Sequence, residues 1–248
     1  MIRIKKKKTE PKELTDFKEK LNEYEVYSKN PFNELKNNKE VNLAVQNSLA
    51  IEQGFICCYC MQSLIIENTN ELKIQIEHFK PKSVYNGKNG NEDLRIEYSN
   101  LLGACLPEKK LNSSILTNHC GQKKDKKELK FIPNPATSSE RKFNLELQFV
   151  ENSGKIKSKN QDIDKELNDI LNLNDDNLRE NRKARLNIIL KEIKKHSKTD
   201  DWQKEKEVIN YVKRLLENLP RKDKQGKYVP FHNFIIFCLN KKFRLELG

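Results

Sequence analysis

The sequence predicts an α+β fold in which a small module of short strands, punctuated by glycine and proline, is held between helical flanks. Three observations point to it. Apolar residues recur at helical spacing before residue 54 and after residue 161; short alternating runs occur only between them; and five of the six cysteines fall inside the same middle stretch. This divides the chain into a basic arm with N-terminal helices (1–54), a compact module (55–135), a hairpin linker (136–160) and a C-terminal helical region (161–248).

Taken in order, Arg3, Lys5 to Lys8 and Lys12 against Glu10 predict a flexible basic arm. From Asn37, the spacing of Val41, Leu43, Ala44, Val45, Leu49 and Ile51 predicts a helix that Gly54 terminates. The alternation of Ile74, Ile76 and His78 predicts a strand that Lys80-Pro81 ends. Residues 143–149 and 155–157 alternate again around a turn at Glu151 to Gly154, predicting a hairpin. Helices are expected over 162–173, 175–196 and 200–219, with Pro220 as a stop; they would pack as a small bundle. The apolar stretch from Phe231 to Phe243 predicts either a core helix or a partner-binding one.

The chain has 48 Lys plus Arg against 36 Asp plus Glu, a net charge of +12, with 35% hydrophobic and 34% charged residues. That composition allows only small cores under charged helices. Surplus positive charge favours polyanion partners through counterion release, while solvated helix faces explain many lysines equally well. No apolar run of about 18 residues occurs and the basic start leads into Thr-Glu-Pro, so neither membrane spanning nor export is expected. Six cysteines are too few for a disulfide framework in a chain this long, and a reducing cytoplasm is the expected compartment.

Cys57 and Cys60 form a C-x-x-C knuckle, a spacing that lets two thiolates reach one tetrahedral Zn²⁺. A redox pair has the same spacing but normally opens a helix, whereas here the helix comes first. Cys105 and Cys120 are the expected second half of a structural zinc site. Cys58 and His119 are also within reach by sequence, with Cys58 read as a packing residue. Between the halves, adjacent Glu77 and His78 should leave opposite faces of a strand end. A carboxylate can hold a hard cation, and a near-neutral imidazole can accept a proton from water. Trp202, His196, His232 and Cys238 read as structural residues.

The joint order Cys57-Cys58-Tyr59-Cys60, Ile76-Glu77-His78-Phe79-Lys80-Pro81, Asn100-Leu101-Leu102, Cys105 and His119-Cys120-Gly121 with Lys124 resembles the HNH endonucleases, which have a ββα-metal core with a zinc knuckle behind it. More narrowly it is similar to the PtuB-type branch, the nuclease subunit of Septu and retron-associated anti-phage systems; Leu171-Asn172-Leu173-Asn174, Leu178 and Arg182 extend the resemblance to roughly residues 40–185. The resemblance implies a metal-dependent phosphodiester hydrolase acting on DNA or RNA, with His78 as general base and Asn100 steadying its loop. It further implies Glu77 as ligand of a catalytic Mg²⁺ or Mn²⁺, and an ATPase partner of the PtuA type, with room for a homodimer in a larger complex. The residue after the last cysteine is often a metal ligand in such nucleases, and here it is Gly121, which has no side chain to offer. His119 is the expected substitute and Asp125 the next. Lys80, Lys82, Lys123 and Lys124 are the expected phosphate contacts. The alternative is a noncatalytic zinc module that binds nucleic acid or protein, and Gly121 is its best support.

Overall fold

The computed structural model describes residues 1–23, 30–66, 68–88, 90–109, 116–137, 145–199 and 201–245, and shows a mixed α+β chain with small sheets. Helices α1 (Lys12–Glu23), α2 (Pro31–Asn37) and α3 (Lys39–Glu52) come first. Asn30 caps α2 and Asn38 caps α3, each side-chain oxygen accepting a backbone N–H of the first turn. The C-x-x-C knuckle follows α3 directly. Next come β1 (Gln75–His78) and β2 (Leu101–Ala104), an antiparallel pair in which His78 faces Leu101 and Gln75 faces Ala104. A second small pair, β3 (Glu108–Lys109) and β4 (Leu116–Thr117), leads to the short helix α4 (Cys120–Lys124).

The predicted hairpin is present as β5 (Leu147–Val150) and β6 (Lys155–Ser158), turned by Gly154 at a φ of 64°; Phe143 and Asn144 lie outside the described residues. The helix expected over 162–173 is shorter: α5 (Gln161–Lys165) widens into a π-helical turn over Glu166–Ile170. Its cause is local, because Glu166 turns inward and accepts the backbone N–H groups of Lys130, Phe131 and Ile132. Helix α6 (Asp176–Lys194) is capped by Asp175, α7 (Lys206–Asn218) begins later than expected, after a 3₁₀ turn at Trp202–Lys204, and α8 (His232–Phe243) ends the fold. Asp200 lies outside the described residues.

Two apolar clusters form. The first joins Leu14, Leu35, Val45 and Leu49 to the strand residues Leu101 and Leu102 and to Leu167, Leu171, Leu173 and Leu178. The second gathers Leu186, Ile193, Val208, Val212, Phe234, Ile235 and Leu239. The knuckle is shared, since Cys57 to Cys60 pack in the first cluster while the flanking Ile56 and Met61 pack in the second. The knuckle therefore sits where two small cores meet, each held by burial worth roughly 1.5–3 kcal/mol for each large apolar side chain fully buried.

Two expectations change. The N-terminal arm is not free: Met1 and Ile4 are buried, the Ile4 N–H donates to the Pro135 carbonyl, and Asn233 donates to the Met1 carbonyl. Lys6 sits 3.3 Å from Glu52 and over the Tyr98 ring, and burial pushes its pKa down to about 8. The apolar stretch from Phe231 includes a core helix, with Phe234, Ile235, Cys238, Leu239 and Phe243 all buried, while Ile236 and Phe237 are partly exposed. Trp202 packs edge-on against Phe243, and burial pushes the Cys238 thiol up to about 12. No helix among the described residues is long and apolar enough to cross a membrane.

Candidate functional site

Cys57, Cys60, Cys105 and Cys120 are all buried, and their sulfurs lie within 4.8 Å of one another. The knuckle turn is closed by the Met61 N–H on the Cys57 carbonyl and the Cys57 N–H on the Gln62 carbonyl. Gln53, at the end of α3, donates to the Ile56 and Gly103 carbonyls and accepts the Gly103 N–H, tying the helix, the knuckle and β2 together. Cys120 is delivered from the other side, its N–H held by the Leu171 carbonyl. Tetrahedral zinc with sulfurs at about 2.3 Å requires sulfur pairs about 3.8 Å apart, and Cys60 and Cys105 are 3.7 Å apart. The donor set therefore fits a metal such as zinc. Cys58 is buried beside the knuckle but lies outside the group of four, in keeping with a packing role. For Cys57, burial opposes ionisation, yet hydrogen bonds from the other thiols hold its pKa well below the ordinary value.

His119 lies against the sulfurs. Its Nδ1 is 3.4 Å from the Cys120 sulfur and 3.7 Å from that of Cys105, while its buried Nε2 has no hydrogen-bond partner. It is placed to brace the thiolates, not to join Glu77. Asp125 is exposed at the end of α4, at a φ of 47°. Among the described residues, the four cysteines are the group of three or more candidate ligands that gathers, and neither His119 nor Asp125 completes one around Glu77.

Glu77 and His78 leave opposite faces of β1, as strand alternation requires. Glu77 is buried: its Oε1 accepts the Tyr59 hydroxyl at 3.1 Å and faces the Lys124 ammonium at 3.0 Å, while Oε2 makes no hydrogen bond. Burial raises its pKa, and Lys124 opposes that rise. A Cβ on Gly121 would fall 2.5 Å from Glu77 Oε2 and 2.7 Å from Gln75 Nε2. Glycine after Cys120 is thus the residue that lets α4 close over the carboxylate, and a ligand side chain there would displace Glu77.

Lys124 corrects the sequence reading most sharply. Its side chain is 1% exposed, and its ammonium is held by Glu77 and by the His78 carbonyl at 2.8 Å, so it is not placed to meet a phosphate. Lys82 and Lys123 are exposed and Lys80 partly so; Lys82 lies 4.3 Å from the Phe32 ring centre and Lys80 4.7 Å from that of Tyr85.

His78 packs edge-on against Phe32, and its Nε2 meets the Arg95 carbonyl at 2.8 Å, the geometry of a protonated Nε2 donating. Burial lowers its pKa to about 4, so the ring is neutral at pH 7, with Nδ1 making no hydrogen bond among the described residues. Asn100 fixes the adjoining loop: its Oδ1 accepts the Lys80 N–H at 2.8 Å, and its Nδ2 donates to the carbonyls of Lys80 and Leu94. Sequence reasoning missed Tyr59, Gln53 and Arg182 as positioning residues. A buried tyrosine hydroxyl needs a partner, which is the one signal that could have singled out Tyr59 beforehand.

No protein-family model and no curated protein matches the chain. The reading of its chemistry therefore stands on these residues.

Proposed function

We propose that the chain is a zinc-stapled nuclease of the HNH type, hydrolysing phosphodiester bonds of nucleic acid as the nuclease subunit of a bacterial anti-phage system with an ATPase partner. The observation that carries the reading is His78: a neutral imidazole whose tautomer is set by the Arg95 carbonyl and whose Nδ1 is left without a hydrogen bond among the described residues. Such a group can take a proton from an attacking water, as a weaker base than the near-neutral imidazole the sequence suggests, because burial lowers its pKa to about 4. Asn100 holds the Lys80 and Leu94 ends of the loop beside it, and the exposed Lys82 and Lys123 can meet phosphates without selecting sequence.

Glu77 offers one carboxylate oxygen, Oε2, toward a cation. Mg²⁺ is commonly held by one or two carboxylates completed by waters and substrate phosphates; here Glu77 would be the single protein ligand, since no second candidate ligand gathers with it among the described residues and its Oε2 lies against Gly121. Bound there, Mg²⁺ or Mn²⁺ would offset charge on the phosphoryl oxygens.

A second reading, a noncatalytic zinc module that binds nucleic acid or protein, is favoured by the Glu77–Lys124 pair and by the divergence of Glu77 from His78. Supercoiled plasmid with Mg²⁺ or Mn²⁺, with and without the co-expressed ATPase, separates the two. A nuclease nicks the plasmid, and His78→Ala lowers the rate by about 10²–10⁴ with zinc retained. Nicking unchanged in His78→Ala defeats the assignment to His78, and no nicking in any combination favours the binding module.

A further inference from the structure

Two cavities of about 570 and 430 Å³ lie side by side, the shared wall formed by Ser63, Ile65, Arg185 and Pro230. Together they make a cleft between the segment that follows the cysteine knuckle and the helical region of α6, α7 and the 221–230 loop. Its charge is one-sided. Arg185, Arg221, Lys222 and Lys227 line the larger cavity against a single acid, Asp223, whose Oδ1 is already used by the N–H groups of Gln225 and Lys227. In the smaller cavity, Lys73 and Arg185 face Glu108, which is hydrogen-bonded to Gln62.

Arg185 is the informative residue. Its Nε is buried with no hydrogen-bond partner, and its guanidinium forms no ion pair among the described residues. The buried Nε is a cost to the fold, while the terminal guanidinium nitrogens, which have no hydrogen-bond partner among the described residues, are the donors that can meet phosphate oxygens bidentately. The larger cavity also has aromatic walls: Tyr228 lies against Gly54, where a Cβ would fall 2.3 Å from its ring, and Phe55 is held at a φ of 59°, a costly conformation for a bulky residue. A volume of this size suits a small ligand more than a duplex backbone.

We infer that this cleft binds a mononucleotide-sized phosphorylated ligand, its phosphate seated on Arg185 and Arg221 and its ring system beside Phe55 and Tyr228. The inference does not depend on hydrolysis at His78. The test is calorimetric titration of the full-length, zinc-loaded chain with AMP, ADP, ATP, inorganic phosphate and a 12-nucleotide single strand. The expected result is saturable binding of a nucleoside phosphate that Arg185→Gln weakens about 10- to 150-fold, the worth of a hydrogen bond to a charged group. Because Arg185 makes no hydrogen bond or ion pair among the described residues, Arg185→Gln should keep the zinc content and melting temperature of the unliganded protein. Arg221→Gln provides an independent variant at the cleft mouth and should weaken the same ligand. The inference is overturned if no nucleoside phosphate binds, if Arg185→Gln and Arg221→Gln bind as well as the parent chain, if inorganic phosphate binds as tightly as the nucleotides, or if the single strand displaces them with higher affinity through Arg185.

Discussion

Replacing Lys124 with methionine tests the interior of the site, because it removes a charge and keeps the side chain's length. The ammonium is 3.0 Å from Glu77 Oε1 and 2.8 Å from the His78 carbonyl, in a residue 1% exposed. Removing one member of a buried pair leaves the other uncompensated, at a cost of about 3–5 kcal/mol. For a chain of this size that corresponds to a melting-temperature drop of about 6–20 °C. Lys123→Met, one residue away and exposed, should change stability by no more than about 0.5 kcal/mol. The assay is urea unfolding of zinc-loaded protein followed by circular dichroism, extended to Glu77→Gln and the double variant. If the pair is the source of the loss, Glu77→Gln/Lys124→Met should be at least about 2 kcal/mol more stable than the two single losses added together. A loss below about 1 kcal/mol in Lys124→Met, or strictly additive losses, would show that Glu77 does not depend on Lys124 and would refute the reasoning.

Further outcomes follow from the same geometry. Elemental analysis should find one zinc per chain, lost in Cys57→Ser, Cys60→Ser, Cys105→Ser or Cys120→Ser and retained in Cys58→Ala and Cys238→Ala. Asn100→Ala removes three side-chain hydrogen bonds and should cost about 2–4 kcal/mol, with faster hydrogen exchange at the Lys80 amide; unchanged exchange would count against the bracing role. Burial lowers the pKa of His232 from 6.5 to about 4, so the unfolded chain takes up its proton first as pH falls. Its contribution is fully present above pH 6.5 and is lost toward pH 4, on the order of 3 kcal/mol, and His232→Asn should flatten that part of the stability–pH profile.

The cysteine centre was legible because its information is local: a C-x-x-C turn and two later thiols predict a tetrahedral set whatever the rest of the chain does. The hairpin at 147–158 and the start of α6 were legible for the same reason, from alternation and from the Asp175 cap. What escaped was pairing across long separations. Lys124 looks like Lys123, Lys126 and Lys127 in the sequence, and only the approach of α4 to β1, 46 residues earlier, makes it an interior cation. The basic arm was misread because charge composition outweighed two apolar residues, Met1 and Ile4, which the fold buries. Gly121 looked like a missing ligand; its meaning appears only when Glu77 is seen against its Cα.

Arg182 shows how the cysteine centre reaches beyond its own module. Its side chain is buried and forms no ion pair among the described residues, its guanidinium donating to the Gly154 and Leu173 carbonyls. Burial lowers its pKa to about 10, and its charge is favoured by Cys60 and Cys120. A cation buried among carbonyls alone would be costly. With a divalent ion bound, however, four thiolates leave a net dianion, and a nearby guanidinium is the charge that such a centre needs in a low-dielectric interior. Arg182 lies on α6 between Leu178, which packs in the first apolar cluster, and Leu186, which packs in the second. With a divalent ion bound, the cysteine centre and the long helix would therefore stabilise each other electrostatically at the place where the two cores meet, and metal loading would be coupled to the docking of α6.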